Sequence, residues 1–241
     1  MNAIPRTPWK PGSEAAARSL GLAIMQGEFP EGSHLPLESD LASSLSISRN
    51  TLREAMRLLA AKSLVTIAPR RGTVVADRRD WNVFDPDVLD WMAAGSGGMS
   101  VCFMTEIIDL RRIVEPHAAA CAAERGDGAR IAAAVDAMER EARSGHTDAA
   151  LEADIAFHVA VADAIDNRFV ARIGRSMMHA LRMNFAALGA VPGNFAQNLA
   201  NHRAVSDAVA ARDPEEARAA MLRLIDRAGE DTARFLAERG Q

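Results

Sequence analysis

Three arginines, Arg49, Arg53 and Arg57, recur at intervals of four residues in the stretch SRNTLREAMRLL. Positions four apart lie one turn apart on a helix, so a helix here would present the three guanidinium groups on one face. Guanidinium groups hydrogen-bond DNA phosphates and the O6 and N7 atoms of guanine. The stretch therefore suits duplex DNA, although a solvated basic face would have the same spacing.

A second basic pair stands at a predicted turn. Arg70 and Arg71 precede Gly72 in PRRG, which joins the β-branched runs LVTIA and TVVA. Such runs on either side of a short turn that contains glycine predict a β-hairpin. A hairpin tip with two arginines suits the minor groove of DNA or its phosphates.

The elements around these arginines predict a winged helix-turn-helix over residues 1–76. A helical period starts at Ser13, a shorter helix follows at LESDLASSL, and Ser48 can cap the helix that starts at Arg49. Residues 1–75 carry a net charge of +3, whereas the rest of the chain carries −7. We expect the basic head to meet a polyanion and the acidic body not to.

The rest of the chain is predicted to be helical. Residues 77–100 mix aromatic and turn residues, which indicates a linker with one short helix, and breaks within residues 101–241 separate about six helices. No apolar run reaches the roughly 20 residues that a membrane span needs, and no secretory signal opens the sequence. Cys102 and Cys121 are too few for a disulfide framework, so we expect reduced thiols and a cytoplasmic protein.

Within the predicted bundle, Asp154 and His158 in EADIAFH lie four positions apart and so share one helix face. Such a pair can bind a divalent metal if a histidine such as His202 joins it from a neighbouring helix. The alternative is an aspartate that orients a buried histidine through a hydrogen bond. The spacing alone favours that alternative.

Two arginines are candidate partners of a carboxylate inside the bundle. Arg111 lies on an otherwise apolar predicted helix, four residues before Glu115, and Arg182 lies on a helix whose inward face could reach the same pocket. Two arginines would neutralise a bound carboxylate. The alternatives are a salt bridge from Arg111 to Glu115 and a solvated position for Arg182.

The stretch GEFPEGSHLPLESDLASSLSISRNTLREAMRLLAAKSLVTIAPRRGTVV resembles the DNA-binding head of the GntR family of transcription regulators. The resemblance implies that Arg49 and Arg53 contact bases and phosphates and that Gly72 forms the tip of the wing. Ser39 stands where many members have an arginine, so one contact is expected to be missing or replaced by a hydroxyl. The predicted DNA-binding residues are Ser39, Ser48, Arg49, Asn50, Thr51, Arg53, Arg70, Arg71 and Gly72.

The body resembles the FCD ligand-binding domain of the FadR subfamily, on LRRIVEPHAA, EADIAFHVAVADAIDN and NHRAVSDAVAARDPEEARAAM. The resemblance implies a divalent metal, zinc or nickel, held by one aspartate and three histidines, with an effector carboxylate completing the shell. Asp154, His158 and His202 match three of these ligands, and Leu224 stands where the fourth would fall. Without a metal, the two histidines would act as hydrogen-bond partners of an acidic sugar.

These features predict a mostly α protein, in which the winged helix-turn-helix precedes an all-α bundle (residues 101–241) that binds effector and dimerises. The linker stretch DWNVFDPDVLDWM is similar to that of sugar-acid regulators in this subfamily. The predicted function is therefore a homodimeric repressor of sugar-acid catabolism genes, which a small carboxylate effector releases from its double-stranded DNA operator. The predicted effector-binding residues are Arg111, Arg182, Asp154, His158 and His202.

Two alternative functions stay open, a metal-dependent regulator and a metalloenzyme built on the bundle. Both start from the predicted metal ligands, which would leave coordination positions open for a substrate. No companion base or nucleophile stands at a diagnostic spacing in the sequence, so we expect the protein not to be an enzyme.

Overall fold

The computed structural model describes residues 12–68, 72–95, 101–126, 128–144, 147–188 and 194–238. The chain divides near residue 98 into two compact units. Within the described residues, no helix is both long enough and apolar enough to cross a membrane.

The first unit is a winged helix-turn-helix, as predicted. Its elements are α1 (Ser13–Met25), α2 (Glu38–Ser44), α3 (Arg49–Ala61), β1 (Val65–Ala68), β2 (Gly72–Val75), a 3-10 turn (Arg78–Asp80) and α4 (Pro86–Gly95). The two strands pair antiparallel, with Val65 opposite Val75 and Ala68 opposite Gly72. An isolated bridge between His34 and Val74 extends this small sheet.

The helix that carries the three arginines is amphipathic. Ser48 caps α3, because its hydroxyl accepts a hydrogen bond of 3.1 Å from the backbone N–H of Thr51. The apolar face of α3 is buried in the core of the first unit through Leu52, Ala55, Met56 and Leu59. Burial of this face leaves the arginine face of α3 in solvent.

α4 packs on α1 inside the first unit. The ring of Trp91 lies so close to Gly21 that a Cβ atom at that position would be 2.2 Å from the ring atom Cε3. Lys62, at the end of α3, forms ion pairs of 2.7 Å with Asp85 and 2.8 Å with Asp87, at the start of α4. α4, which the sequence analysis assigns to a linker, is thus tied to both α1 and α3.

The described part of the second unit forms six helices, the number that the sequence predicts. They are α5 (Val101–Arg125), α6 (Ala129–Ser144), α7 (Thr147–Asp163), α8 (Arg168–Leu188), α9 (Asn194–Ala210) and α10 (Pro214–Glu238). α10 packs against α5 and α9, and α7 packs against α6 and α8. Alanines make up much of the core, which lets the helix axes approach closely. The mostly α fold class, with a winged head before a helical bundle, is confirmed.

Candidate functional site

A cluster of charged and polar side chains lies inside the otherwise apolar bundle. Three helices contribute to it: α5 through Arg111 and Glu115, α7 through Asp154 and His158, and α9 through His202. Each of the five residues has at most 5% of its surface exposed. Charged groups are almost never buried to this extent unless they are paired or bind an ion, so we expect every charge in the cluster to have a partner.

The fold brings the cluster together through helix spacing and packing. Asp154 and His158 lie one turn apart on α7, while α5 packs against both α7 and α9. Phe157, which is fully buried, forms T-shaped contacts with the rings of His158 and His202 at centroid distances of 5.0 and 4.8 Å. This ring holds the two imidazoles side by side.

Arg111 and Glu115 form a buried ion pair with two contacts. Arg111 Nε donates to Glu115 Oε1 at 2.8 Å, and Nη2 donates to Oε2 at 3.4 Å. Burial alone would raise the pKa of Glu115, but the charge of Arg111 and the contact with His158 outweigh it and lower that pKa to about 2. Glu115 is therefore ionised at neutral pH.

Glu115 also contacts His158. The His158 Nδ1 atom lies 2.8 Å from Glu115 Oε2. Because an ionised carboxylate can only accept a hydrogen bond, this contact favours the tautomer with its proton on Nδ1. The Nε2 lone pair of His158 is then available on the side of Asp154, whose Oδ2 atom lies 3.9 Å away.

His202 presents its Nε2 atom to the other oxygen of Asp154. Its Nδ1 atom donates a 2.8 Å hydrogen bond to the carbonyl of Asn198, so the neutral ring carries a lone pair on Nε2. That atom lies 2.9 Å from Asp154 Oδ1 without the alignment of a hydrogen bond. Neither His202 Nε2 nor Asp154 Oδ2 has a hydrogen-bond partner among the described residues.

Asp154 is ionised despite its burial. Burial raises the pKa of this carboxyl group, but His202, and beyond it His158 and Arg111, reverse the effect and lower the pKa below its ordinary value. Its two oxygens thus form an anionic acceptor between two imidazole nitrogens.

These donor atoms fit a divalent metal ion. One atom each from Asp154, His158 and His202 lies within 4.8 Å of the other two. A carboxylate oxygen and two imidazole nitrogens are donors that zinc and nickel accept, and three protein ligands leave positions open for a small molecule. Glu115 would fix the ring of the liganding His158 by accepting a hydrogen bond from its Nδ1 atom. Leu224, at the position of the expected fourth ligand, is only 2% exposed and belongs to the apolar core.

The structure does not bring Arg182 into this cluster. Arg182 is about half exposed and forms a 2.7 Å ion pair with Glu152 on α7. Arg111 forms the salt bridge that the sequence analysis gives as its alternative, and it contacts His158 as well. The link from Glu115 to His158 was missed, because only the packing of α5 against α7 creates it.

The start of α3 is the second candidate site. Arg49, Asn50 and Arg53 are exposed there, next to the capping residue Ser48. Arg53 Nε donates to Glu38 Oε2 at 3.0 Å, whereas Arg49 has no ion-pair partner within the described residues. The free N–H groups of a helix start add a positive potential to this basic surface.

The second strand of the wing borders the same surface. Gly72 opens β2 with φ of +83°, a value that favours glycine, while Arg70 and Arg71 lie outside the described residues. The groove between the wing and the helices is lined by Leu35, Pro36, Leu37, Glu38, Ser39, Arg49, Arg53, Met56, Ile67, Ala68, Gly72 and Thr73. Ser39, one of these lining residues, donates from its exposed Oγ to the neighbouring Asp40 at 3.0 Å.

Each of the two units matches a known protein family. Residues 13–75 match the family described as bacterial regulatory proteins, gntR family. Residues 106–227 match the FCD domain. The first match contains all of α3 and both strands of the wing, and the second contains all five residues of the buried cluster.

Individual relatives cover nearly the whole chain. The galactonate operon transcriptional repressor of Escherichia coli K12 is 32% identical over 86% of this chain and 90% of its own. The putative L-lactate dehydrogenase operon regulatory protein of the same organism is 31% identical over 87% and 82%.

A solved structure supports the fold. It is described as "Lar controls the expression of the Listeria monocytogenes agr system and mediates virulence", and it has a TM-score of 0.67 at 19% identity, over 95% of this chain and 99% of its own. The chain therefore belongs to the GntR family of bacterial transcription regulators and carries an FCD domain behind its winged helix-turn-helix.

Proposed function

We propose that this regulator represses genes of sugar-acid catabolism and leaves its operator when a small carboxylate binds inside the FCD domain. The observation that carries the proposal is a buried cluster of four side chains. In it the guanidinium group of Arg111 lies next to Asp154, His158 and His202, whose donor atoms could bind a metal ion. Similarity to a galactonate operon repressor supports an aldonate as the effector. The site of action would be the cytoplasm.

On the DNA side, α3 would enter the major groove with Arg49 and Arg53 at its leading end. Asn50 and Thr51 would reach base edges or phosphates next to them, and Ser39 and Ser48 would contact the backbone. Arg70, Arg71 and Gly72 would follow the adjacent minor groove. One small head offers few such contacts, so we propose a homodimer on a palindromic site whose halves lie about one helical turn, or roughly 34 Å, apart.

On the effector side, the chemistry of the cluster favours an acid over a neutral sugar. A cation would satisfy the Asp154 and His202 atoms that have no hydrogen-bond partner, and a metal held there would supply a Lewis acid for a carboxylate and a neighbouring hydroxyl. A neutral sugar of the same shape would leave that charge unpaired at a large desolvation cost. Arg182 forms an exposed ion pair with Glu152, so it would contact the effector only from outside the buried cluster.

The two proposed sites lie in different units, so the effector must act on an equilibrium between two states. It can release DNA only if it binds the DNA-free state more tightly than the DNA-bound state. A hundredfold preference would correspond to about 2.7 kcal/mol of coupling.

The test begins with the operator. Selection from random duplexes with the purified protein gives a binding sequence, and fluorescence anisotropy then measures the affinity for it at fixed salt. Galactonate, gluconate and their parent aldoses are titrated into the complex. We expect release by an aldonate and not by the aldoses. Release by both kinds of sugar, or by neither, would argue against a sugar-acid effector.

A second candidate, a metal-responsive regulator, is favoured by the contact between His202 Nε2 and Asp154 Oδ1. The same anisotropy assay separates it from the first. If a chelator alone changes operator affinity and an aldonate adds nothing, the metal itself is the signal.

A further inference from the structure

We infer that the buried Arg111–Glu115 pair sets how strongly the cluster holds a divalent cation, and that Arg111 makes this binding depend on the effector's carboxylate. The positive charge of Arg111 would lower the affinity of the cluster for the cation, and the negative charge of Glu115 would raise it. The inference rests on the proposed role of the cluster as an effector site. It concerns two residues that are not metal ligands themselves.

The guanidinium group of Arg111 lies against the ring of His158. Arg111 Nη2 lies 3.0 Å from His158 Nε2 and 3.4 Å from Nδ1 of the same ring. An approach to both nitrogens places the group against the ring and not in line with the Nε2 lone pair. The lone pair therefore stays available, and a cation bound to it would lie close to a buried positive charge.

The net charge of the cluster determines what a divalent cation requires. Among the five described members, Glu115 and Asp154 are anionic, Arg111 is cationic and the two histidines are neutral as metal ligands. The cluster thus carries one negative charge, and a divalent cation would leave it with one positive charge in excess. A single carboxylate cancels that excess. In a buried site of low dielectric, the neutral combination is strongly favoured.

Three variants separate this charge effect from a merely structural role. Without Arg111, two carboxylates match the cation by themselves, so Arg111→Met should tighten metal binding and remove its dependence on acid. Glu115→Gln should weaken metal binding and strengthen that dependence. The double variant restores the wild-type charge and should behave like the wild type in both respects.

The experiment measures zinc affinity of the full chain by competition with a chromophoric chelator, alone and with galactonate, with galactose as the neutral control. We expect galactonate to raise the zinc affinity of the wild type at least about tenfold. Arg111→Met should bind zinc at least about tenfold more tightly than the wild type without acid and respond little to it. Glu115→Gln should lose about 10–100-fold. Circular dichroism checks that each variant is folded.

The outcome that overturns the inference is zinc binding by Arg111→Met that is equal to or weaker than that of the wild type. If Arg111→Met does not fold, Glu115→Gln and the double variant carry the test, because loss of zinc affinity in the first must be reversed in the second. Lack of that reversal also overturns the inference. None of these measurements uses DNA, so failure of the proposed repressor function in the operator assay is recorded separately.

Discussion

His202 Nε2 and Asp154 Oδ1 lie 2.9 Å apart, although the contact does not have the geometry of a hydrogen bond. The hydrogen bond from His202 Nδ1 to the Asn198 carbonyl places the proton on the opposite side of the ring. Two acceptors at this distance repel each other unless a cation or a proton lies between them. α7 and α9 are nevertheless packed so that these atoms meet, which indicates that the cluster is built around a positive charge.

Asp154→Asn tests this relationship. Because its neighbours hold the pKa of Asp154 below its ordinary value, the fold stabilises the charged carboxylate, and we expect its loss to lower the melting temperature of the metal-free protein at neutral pH. Zinc affinity should fall at least about 100-fold, since a ligand is lost. Calorimetry and thermal unfolding measure the two quantities. Asp148→Asn, at an exposed position in the first turn of the same helix, is the control that should leave zinc affinity unchanged.

Arg49→Ala tests the proposed DNA-binding helix. Arg49 is exposed at the start of α3 and has no ion-pair partner within the described residues, so its guanidinium is available to a base or a phosphate. We expect operator affinity to fall by about 1–3 kcal/mol, or roughly 5- to 150-fold. Anisotropy at fixed salt measures the loss, and Arg143→Ala, on the exposed side of α6, should cause none. Equal affinities of both variants would exclude α3 as the reading helix.

Arg53 allows a second test of the same helix, because its guanidinium group forms an ion pair with Glu38. Arg53→Ala should lose specific binding to a degree similar to Arg49→Ala. Glu38→Gln removes the restraint on Arg53 but keeps its charge, so non-specific DNA affinity should rise or stay equal while the ratio of specific to non-specific affinity falls. A ratio that stays constant in Glu38→Gln would show that the ion pair does not position Arg53 for DNA.

The sequence predicts local features of both sites well. The spacing of Arg49, Arg53 and Arg57 determines a helix face, and the Ser48 cap follows from short-range backbone chemistry. In the same way, Asp154 and His158 had to share a face of α7. Each of these features depends on one helix and its own residues.

Features that depend on contacts between helices could not be predicted from the sequence. Nothing in the sequence spacing shows that Glu115 would reach His158 from another helix, or that Arg182 would turn outward to Glu152. The tie between Lys62 and α4 likewise joins residues more than twenty positions apart. Such contacts depend on how the helices pack, and the spacing of residues within one helix does not show which other helix it contacts.

Gly21→Ala tests the packing of α1 on α4. Its Cβ atom would lie 2.2 Å from Cε3 of Trp91, whose ring is buried and cannot move aside. Because three ring atoms of Trp91 would lie within 3 Å, overpacking should cost about 3 kcal/mol, which exceeds the roughly 1 kcal/mol that alanine gains over glycine in a helix. The matched control is Gly229→Ala on α10, where the nearest atoms are 3.5 Å away and the substitution should stabilise or be neutral.

Tryptophan fluorescence makes the measurement selective. Trp81 and Trp91 both lie in the first unit, and the third tryptophan, Trp9, precedes α1. Urea unfolding followed by fluorescence should therefore show the loss in Gly21→Ala. Circular dichroism, which reports mostly on the long helices of the second unit, should change less. A fluorescence midpoint that does not fall would mean that α4 is not packed against Gly21.

Lys62→Met tests the tie between α3 and α4. Burial disfavours the charged form of Lys62, but hydrogen bonds to Asp85 and Asp87 outweigh it and raise its pKa above 10.5. The pair therefore stabilises the protein fully below pH 10.5, and this contribution is lost as pH rises through the higher folded-state pKa. Replacement by methionine should cost about 1–3 kcal/mol at neutral pH in the fluorescence assay. Lys62→Arg, which keeps the charge, should lose less, and equal losses in both would contradict an ionic role.

Leu224→His tests whether the missing fourth ligand limits metal binding. Leu224 is buried on α10, which packs against both α9, the helix of His202, and α5. An imidazole there without metal should lower the melting temperature, because it is a polar group in an apolar core. With zinc, a fourth ligand should raise metal affinity at least about tenfold and restore the lost stability by mass action. Calorimetry and thermal unfolding with and without zinc measure both effects. Leu222→His, two positions earlier on the same helix and only partly buried, is the matched control and should gain no affinity. If Leu224→His also gains no zinc affinity, the side chain at this position does not reach the metal, and the packing of the helices limits the cluster to three protein ligands.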